Sequence, residues 1–194
     1  MIRLGILGST RGTHLLSIIA AIQQHQLPAE IALVLSNKAD ALILAKAKEN
    51  NLSAKFVDPA HLTREQYDEQ LSLLFHQAEI DLIVLIGYMR ILSAYFVSAW
   101  ENKIINVHPS LLPAFAGKMD LAVHKAVLAS GVHETGCTVH YVTQVVDAGA
   151  IILQRKCAVL SHDTPEQLKQ RVQQLEGETL VEAIKLWNIN KVEY

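Results

Sequence analysis

Two kinds of apolar pattern follow each other in turn along this chain of 194 residues. Short apolar runs rich in β-branched residues predict buried strands, and between them lie longer segments with apolar residues at helical spacing. The predicted strands cover residues 3–7, 31–35, 54–57, 82–86 and 103–106. Of the helices between them, one is predicted from about residue 39 to residue 50, and the next is predicted to begin at Thr63, because Thr63 and Gln66 have the spacing of a capping box. Strands that alternate with helices in this way indicate an α/β protein with a doubly wound, mainly parallel sheet.

The pattern changes after Pro113. Residues 138–142 alternate between apolar and polar side chains, and residues 151–160 are largely apolar. Two strands so close in sequence are expected to pair as an antiparallel C-terminal hairpin. A long C-terminal helix is predicted to begin at Pro165, because Thr164 and Gln167 have the spacing of a capping box. We therefore expect a single domain over residues 1–194, with one half at 1–100 and the other at 101–194.

Charge and cysteine content argue against several classes of protein. A net charge of -2 does not suit a nucleic-acid surface, which needs a basic patch. Cys137 and Cys157 lie in apolar runs and are predicted to be buried, reduced thiols. No apolar run reaches the roughly 18 residues of a membrane span, and the N-terminus lacks the long apolar region of a secretory signal. We expect a cytoplasmic monomer or homodimer that binds neither nucleic acid nor membrane.

The most informative motif is Asn106-Val107-His108-Pro109, at the end of an apolar run. On extended backbone, side chains two residues apart point to the same face, so Asn106 and His108 are expected to act together. An amide can hold the oxygen of a carbonyl group while an imidazole handles a proton or stabilises charge. Those are the two tasks of acyl transfer. Taken alone, the motif also fits a polar strand end beside a proline turn.

A glycine-rich loop, Gly8-Ser9-Thr10-Arg11-Gly12-Thr13, lies between the first predicted strand and the first helix. Exposed backbone N–H groups and the positive end of a helix dipole make such a loop a site for phosphate. Its spacing fits neither a dinucleotide-binding loop nor a P-loop. We predict that it binds a phosphate monoester, helped by Ser9, Arg11 and Thr13. A tight turn without a ligand is the alternative.

Two further segments are candidates for a ligand site. Residues 87–92 follow the predicted central strand, and ligands of open α/β sheets bind outside the carboxyl ends of strands. Their backbone groups could read the edge of a flat heterocycle, and the side chains of Met89, Ile91 and Leu92 are expected to offer adaptable apolar surface. Asp147 follows a predicted strand that contains His140, and a carboxylate near His108 would raise the pKa of that imidazole and fix its orientation. Ordinary turn chemistry and core packing explain each segment equally well when it is taken alone.

These residues together carry a family resemblance. Residues 106–113, followed by Gly136-Cys137-Thr138-Val139-His140 and Asp147-Ala148-Gly149, resemble the 10-formyltetrahydrofolate-dependent formyltransferases. The likeness covers essentially the whole chain and is greatest to the members that formylate phosphoribosylglycinamide in purine synthesis. It implies a Rossmann-like formyltransferase fold, small-molecule substrates, and direct transfer of the formyl group from 10-formyltetrahydrofolate to an amine without a metal. It also implies that residues 1–100 bind phosphate and that residues 101–194 carry the catalytic and folate-binding groups.

The resemblance implies a role for each matching residue. Asn106, His108 and Asp147 match the catalytic residues of the family. The positions that match its folate-binding residues are Arg64, Met89, Arg90, Ile91, Leu92 and His140. The residues predicted to bind the phosphorylated acceptor are Gly12, Thr13 and Glu176, which match the family, together with Arg11 and His14. Leu112-Pro113 matches a cis-proline bond of the family.

Two departures from the family pattern leave the identity of the amine acceptor open. His14 stands where the family usually has asparagine, and the loop that begins at Phe115 is longer than is common. An amino-sugar nucleotide is therefore an alternative acceptor, and formyltetrahydrofolate hydrolase an alternative activity. A folate- or phosphate-binding protein without catalysis is the alternative from a different class. A methionyl-tRNA formyltransferase is disfavoured because the chain ends without a basic domain for tRNA, and a nicotinamide dehydrogenase because the loop spacing does not fit.

Overall fold

The computed structural model describes the backbone of residues 1–192 and the side chains of residues 1–189. Its strands are β1 Ile2–Leu7, β2 Ala29–Ser36, β3 Ala54–Phe56, β4 Leu82–Leu85, β5 Ile104–His108, β6 Glu134–Tyr141 and β7 Ile151–Ala158. Its helices are α1 Thr13–Gln23, α2 Leu42–Glu49, α3 Arg64–Gln77, α4 Ala94–Ala99, α5 Leu121–Ser130 and α6 Pro165–Val192. Within residues 1–192, no helix is long and apolar enough to cross a membrane.

The strands form one sheet in the order β3-β2-β1-β4-β5-β6-β7. β1 pairs in parallel with β2 and β4, β2 pairs in parallel with β3, and β4 pairs in parallel with β5. β6 and β7 form an antiparallel pair. This arrangement, with α6 as the long C-terminal helix, confirms the α/β fold predicted from the sequence.

The chain divides into two units, Met1–Asn106 and Val107–Tyr194. In the first unit all four residues of β4 are buried, as expected for a central strand of a parallel sheet. The strand order reverses between β1 and β4. The loops that follow these two strands therefore lie at the switch point where open α/β sheets bind their ligands.

In the first unit, α3 begins at a capping box and packs through an aromatic side chain. α3 begins at the capping box predicted from the sequence, in which Thr63 and Gln66 exchange side-chain-to-backbone hydrogen bonds. The ring of Phe75 on α3 meets the rings of Phe96 and Trp100 edge-on, at centroid distances of 6.5 Å and 6.1 Å. These rings fill the core on this side of the first unit.

The second unit packs α5 and the β6–β7 hairpin against α6. Its core is a cluster of fully buried residues from these elements, namely Val123, Val127, Cys137, Leu168 and Val172. α6 begins at the second predicted capping box, formed by Thr164 and Gln167. Cys137 is buried as expected, whereas Cys157 is only half-buried because β7 is an edge strand of the sheet.

Several element boundaries differ from the predictions. β5 continues to His108, two residues past the predicted end at 106, because the backbone before Pro109 is restricted to extended conformations. α2 begins at Leu42, later than the predicted residue 39. Periodicity does not predict α4, because its six residues are too few to show a helical repeat. Leu112-Pro113 is cis, as the resemblance implies. A single domain with halves 1–100 and 101–194 stays a prediction.

Candidate active site

β5 carries Asn106 and His108 two residues apart on one extended strand. Because side chains alternate between the two faces of a strand, both side chains leave β5 on the same face. Asn106 is half-buried, and His108 is buried with 4% of its surface exposed. The strand therefore presents an amide and an imidazole in the arrangement predicted from the sequence.

His108 is paired with Asp147. The Nδ1 atom of His108 lies 3.3 Å from Oδ2 of Asp147, and the two side chains are 5% and 9% exposed. A carboxylate only accepts hydrogen bonds, so the proton between them is on Nδ1. Nε2 of His108 is buried and has no hydrogen-bond partner in the part of the chain that the structure describes. Because a buried polar atom without a partner costs free energy, Nε2 is an atom that a bound ligand would satisfy.

The loop that carries Asp147 is held in an uncommon conformation. Asp147 has a φ of 55°, in the left-handed region that aspartate enters more readily than most residues. The backbone N–H of Gly117 donates a 2.8 Å hydrogen bond to Oδ2 of Asp147. At Gly149 a Cβ atom would lie 1.8 Å from the carbonyl oxygen of Tyr141, so only glycine fits there. The carboxylate is thus held in place from several sides within the second unit.

His140 lies beside the second oxygen of the same carboxylate. Its Nε2 atom is 3.6 Å from Oδ1 of Asp147, and its Nδ1–H donates a 2.9 Å hydrogen bond to the carbonyl oxygen of Tyr141. Burial lowers the pKa of His140, although that hydrogen bond and the charge of Asp147 both act to raise it. The ring is therefore neutral near pH 7. In this tautomer Nε2 of His140 is an acceptor, as is the neighbouring Oδ1 of Asp147.

Another buried histidine, His124 on α5, is a candidate that the sequence does not indicate. His124 is 1% exposed, and its Nδ1 atom has no hydrogen-bond partner among residues 1–189. Burial lowers the pKa of His124, and the charge of Glu176 on α6, itself 5% exposed, acts in the opposite direction. A single histidine on a helix has no motif of its own. It is a candidate only because it is buried, its Nδ1 atom is unpartnered among the described residues, and it interacts with Glu176.

The predicted phosphate site lies in the first unit, at the start of α1. Gly12 is the N-cap of α1 with a left-handed φ of 61°, and no side chain in the described chain caps the helix. A Cβ atom at Gly12 would lie 2.4 Å from Cγ1 of Ile43. Arg11 and Thr13 are exposed beside it, while His14 is only 8% exposed. The N-cap of α1 therefore lacks a side-chain cap at this loop, as an anion site requires.

The contacts of Ser9 correct one expectation for this loop. Its hydroxyl donates a 2.6 Å hydrogen bond to Oδ1 of Asn37 and accepts a 2.9 Å hydrogen bond from the backbone N–H of Met89. Ser9 is 3% exposed. Because its single O–H donor is already used, Ser9 does not offer that donor to a phosphate.

Residues 89–92 form irregular backbone between β4 and α4. The side chains of Met89 and Ile91 are exposed to 41% and 60%, which is high for apolar residues and leaves them available to a ligand. Leu92 is only 8% exposed. The expectation that all three side chains offer apolar surface is thus correct for Met89 and Ile91 and wrong for Leu92, which packs into the core.

The two arginines predicted to bind folate also lie in the first unit. The guanidinium carbon of Arg90 is 4.8 Å from the ring centroid of Tyr67, a cation–π contact. Arg64 is the first residue of α3, and its Nε atom is 3.5 Å from Oε1 of Glu65. Both members of that pair are more than half exposed, so the pair restrains Arg64 only weakly.

Two other kinds of site have little support. Residues 1–189 contain no group of three or more His, Cys, Asp or Glu side chains that could hold a metal ion. A groove beside β3 and α3, lined by residues that include Phe56, Leu62 and Leu73, contains none of the residues predicted to bind substrate. The candidate groups are therefore the glycine loop and residues 89–92 in the first unit, and the His108 group in the second.

Comparison with known proteins identifies relatives along most of the chain. A family model described as formyl transferase matches residues 2–184. The phosphoribosylglycinamide formyltransferase of Haemophilus influenzae is 38% identical over 177 residues, which are 91% of this chain and 82% of that protein. The trifunctional purine biosynthetic protein adenosine-3 of Gallus gallus is 41% identical over 186 residues, which are 95% of this chain and 18% of that protein. This chain therefore spans less than a fifth of that trifunctional relative.

Solved structures show the same similarity. Glycinamide ribonucleotide transformylase 1 from Symbiobacterium toebii has a TM-score of 0.90 and 40% sequence identity, with 95% of this chain and 86% of that chain covered. The phosphoribosylglycinamide formyltransferase from Coxiella burnetii has a TM-score of 0.89 and 38% identity, with 94% of this chain and 85% of that chain covered. Fold and sequence are thus similar over nearly the full length.

Proposed function

The chain belongs to the formyl transferase family, and from this premise we propose that it transfers the formyl group of 10-formyltetrahydrofolate to the amine of phosphoribosylglycinamide in purine synthesis. The observation that carries the proposal is the His108–Asp147 pair. Nδ1 of His108 is 3.3 Å from the carboxylate, and its buried Nε2 has no partner in the described chain. An imidazole whose Nδ1 is paired with a carboxylate has a fixed orientation. Its unpartnered Nε2 can then form a hydrogen bond with the oxygen of a reacting formyl group.

In the proposed reaction the amine attacks the formyl carbon, and the formyl oxygen becomes an oxyanion. A protonated His108 would donate Nε2–H to this oxygen, and Asn106 would donate an amide N–H from the same face of β5. Asp147 orients the ring and lies beside the positive charge that the ring then carries. Each oxyanion donor of this kind contributes roughly 100- to 1,000-fold to the rate.

The reaction also moves a proton. The attacking amine loses a proton, and N10 of the folate gains one when the bond from N10 to the formyl carbon breaks. We propose that Asp147 holds a water molecule that relays this proton. The position of Oδ1 of Asp147, 3.6 Å from Nε2 of His140 and on the same carboxylate that pairs with His108, supports this role, because a carboxylate oxygen accepts hydrogen bonds from water.

The acceptor is proposed to bind through its phosphate at the start of α1. Gly12 leaves the helix without a side-chain cap, and Arg11, Thr13 and His14 surround that end. The carboxylate of Glu176 is proposed to contact the glycinamide part of the same substrate. The family resemblance is the basis of this assignment, and Glu176 lies in the second unit, where its charge acts on the buried His124.

The folate is proposed to bind residues 89–92 through their backbone, as the family resemblance implies. The exposure of the Met89 and Ile91 side chains supports an apolar contact with the pterin. Arg64 is proposed to meet the glutamate tail, and His140 to contribute from β6. The remaining member of this group, Arg90, is already stacked on Tyr67. The separate phosphate and catalytic halves, the cytoplasmic location and the monomeric or homodimeric state stay predictions.

One observation favours a second acceptor class. The longer loop that begins at Phe115 is not remote from the catalytic group, because the N–H of Gly117 is bonded to Asp147 at 2.8 Å. A loop of unusual length in that position is able to change which amine is accepted. An amino-sugar nucleotide is therefore the second candidate acceptor.

The direct test follows tetrahydrofolate release by absorbance with purified protein and 10-formyltetrahydrofolate, with and without phosphoribosylglycinamide. We expect release only when the amine is present, and loss of release in His108→Ala. The exposed His133 provides the matched control, since His133→Ala should keep the wild-type rate. Release without any amine would identify a hydrolase. Release with an amino-sugar nucleotide but not with phosphoribosylglycinamide would identify the amino-sugar nucleotide as the acceptor.

A further inference from the structure

Ser9 joins three strand ends at the switch point of the sheet. It lies just after β1, and its hydroxyl donates a 2.6 Å hydrogen bond to Oδ1 of Asn37, just after β2. The same hydroxyl accepts a 2.9 Å hydrogen bond from the N–H of Met89, which follows β4. The backbone N–H of Ser9 donates to the carbonyl oxygen of Gly87 at 3.2 Å. One small side chain thus fixes the loops of three parallel strands relative to each other.

The loops after β1 and β4 are also in close steric contact. Gly87 has a φ of 58°, and a Cβ atom there would lie 2.4 Å from Oγ1 of Thr10, the residue after Ser9. The carbonyl oxygen of Thr10 accepts a 3.1 Å hydrogen bond from the N–H of Ile43. Ile43 in turn leaves no room for a side chain at Gly12. A continuous set of contacts therefore connects the segment after β4 with the N-cap of α1.

The burial of Ser9 determines what the loss of its hydrogen bonds would cost. Ser9 is 3% exposed, so water does not readily replace its hydroxyl when that hydroxyl is removed. The N–H of Met89 would lose its partner, and Oδ1 of Asn37 would lose its donor. Leaving a buried polar group without its hydrogen bond costs enough free energy to weaken a binding equilibrium by about tenfold. Met89 begins the segment proposed to bind folate, and Gly12 belongs to the loop proposed to bind the acceptor phosphate.

We propose that Ser9 is a positioning residue that couples the two substrate sites. By holding the N–H of Met89, it sets the backbone of residues 89–92 relative to the glycine loop. Anion binding at Gly12 then strengthens folate binding, and folate binding strengthens anion binding by the same factor, because such coupling is reciprocal. Ser9 acts through Met89 and contacts neither the formyl group nor the amine. This inference rests on the proposed function.

The test measures the dissociation constant of tetrahydrofolate by titration calorimetry, with and without saturating inorganic phosphate. We expect phosphate to tighten tetrahydrofolate binding to the wild-type protein. In Ser9→Ala the affinity should fall about tenfold, and the effect of phosphate should disappear. Ser72→Ala is the matched control: it removes another hydroxyl of 3% exposure, which accepts a 3.0 Å hydrogen bond from Trp100 Nε1 in the same unit. Ser72→Ala should lose stability and keep both binding properties.

The possible results separate this inference from the proposed function. Wild-type affinity and a wild-type phosphate effect in folded Ser9→Ala would overturn the role of Ser9 while leaving the function intact. Absence of a phosphate effect in the wild-type protein would overturn the coupling. Failure of the wild-type protein to bind tetrahydrofolate would overturn the proposed function as well. If Ser9→Ala does not fold, Asn37→Ala replaces it, since Asn37 is half-buried and anchors the same hydroxyl. A retained phosphate effect in that variant would again contradict the inference.

Discussion

The backbone N–H of Gly117 and the carboxylate of Asp147 form a 2.8 Å hydrogen bond across 30 residues of sequence. Hydrogen bonds to an ionised carboxylate are among the stronger ones in proteins. The position of Asp147 therefore does not depend on His108 alone, although the same oxygen lies 3.3 Å from Nδ1 of that ring. The loop from Phe115, one of the two predicted departures from the family pattern, thus supports the group on which catalysis is proposed to depend.

This geometry predicts the effect of Asp147→Asn. The amide has nearly the shape of the carboxylate, so the loop should keep its conformation. However, it carries no charge to balance a protonated His108 in the transition state. We expect kcat for formyl transfer to fall roughly 100- to 1,000-fold, with little change in KM, because the loss is confined to the transition state. Steady-state kinetics with both substrates measures this change.

The control for that variant is Glu178→Gln, which neutralises an exposed carboxylate paired with Arg155 on the surface of the same unit. It should leave kcat unchanged. A tenfold rise in KM for Asp147→Asn with kcat preserved would contradict the mechanism, since it would assign Asp147 to substrate binding instead of to catalysis.

A second prediction concerns pH and the buried histidines. Burial lowers the pKa values of His124 and His140 in the folded protein. Such groups bind fewer protons when folded than when unfolded. Their contribution to stability is therefore complete above the unfolded pKa of about 6.5, and it is lost as the pH falls toward the folded pKa. We expect the free energy of unfolding of the wild-type protein to decrease between pH 7.5 and pH 5.5, and His140→Gln to decrease less.

Urea denaturation at the two pH values measures this difference. His133→Gln provides the control, because that side chain is exposed, and it should show the wild-type pH dependence. An equal decrease in His140→Gln and in the wild-type protein would show that burial of His140 does not contribute to the pH dependence.

Most of the fold was predictable because its determinants are local in sequence. Both capping boxes, at Thr63 and at Thr164, lie where the spacing of hydroxyl and amide residues predicts them. The central strand β4 was predictable from an uninterrupted apolar run. The end of β5 at His108 was not, because histidine has no strand preference, and the backbone there stays extended because the residue before Pro109 is restricted to extended conformations.

The candidate site was predictable only in part. Asn106, His108 and Asp147 stand out only through the combined pattern of residues 106–113, 136–140 and 147–149, because each segment alone also fits ordinary structure. The burial of His124 and the partners of Ser9 could not be foreseen, because both depend on which elements the fold brings together. Ser9, Asn37 and Met89 are far apart in sequence and meet only because β1, β2 and β4 are neighbours in the sheet.

A third prediction separates the two costs of a side chain at Gly12. Gly12→Ala must adopt a φ of 61° and must also place its Cβ 2.4 Å from Ile43. The backbone strain alone costs about 1–2 kcal/mol, and the steric clash would displace the start of α1. We therefore expect a lower free energy of unfolding and also a KM for the phosphorylated acceptor that is at least tenfold higher. Denaturation and steady-state kinetics measure the two effects.

Gly131→Ala is the control for Gly12→Ala. Gly131 ends α5 with a φ of 70°, but no atom lies within 4 Å of the position that its Cβ would take. Gly131→Ala should lose stability through backbone strain alone and keep the wild-type KM. An unchanged KM in Gly12→Ala would contradict the assignment of this loop to the acceptor phosphate.

The last prediction concerns Asp163, just before α6. Arg171 donates hydrogen bonds of 2.6 Å and 2.8 Å to its two carboxylate oxygens, and the N–H of Leu160 donates another of 2.8 Å. These bonds, chiefly those from Arg171, lower the pKa of Asp163 to about 2. A carboxylate whose pKa is lower when folded stabilises the protein fully above its unfolded pKa of about 3.9, and this contribution is lost as the pH falls toward the folded pKa.

We therefore expect Asp163→Asn to lower the thermal midpoint at pH 7 by several degrees, and the difference from the wild-type protein to become smaller between pH 4 and pH 3. Glu178→Gln breaks an ion pair whose side chains are 40% and 70% exposed, and it should change stability by less than about 1 kcal/mol at any pH. Thermal scans of the three proteins at pH 7, 5, 4 and 3 measure the trend. A difference for Asp163→Asn that stays constant over this range would show that packing, and not the charge of Asp163, accounts for its effect.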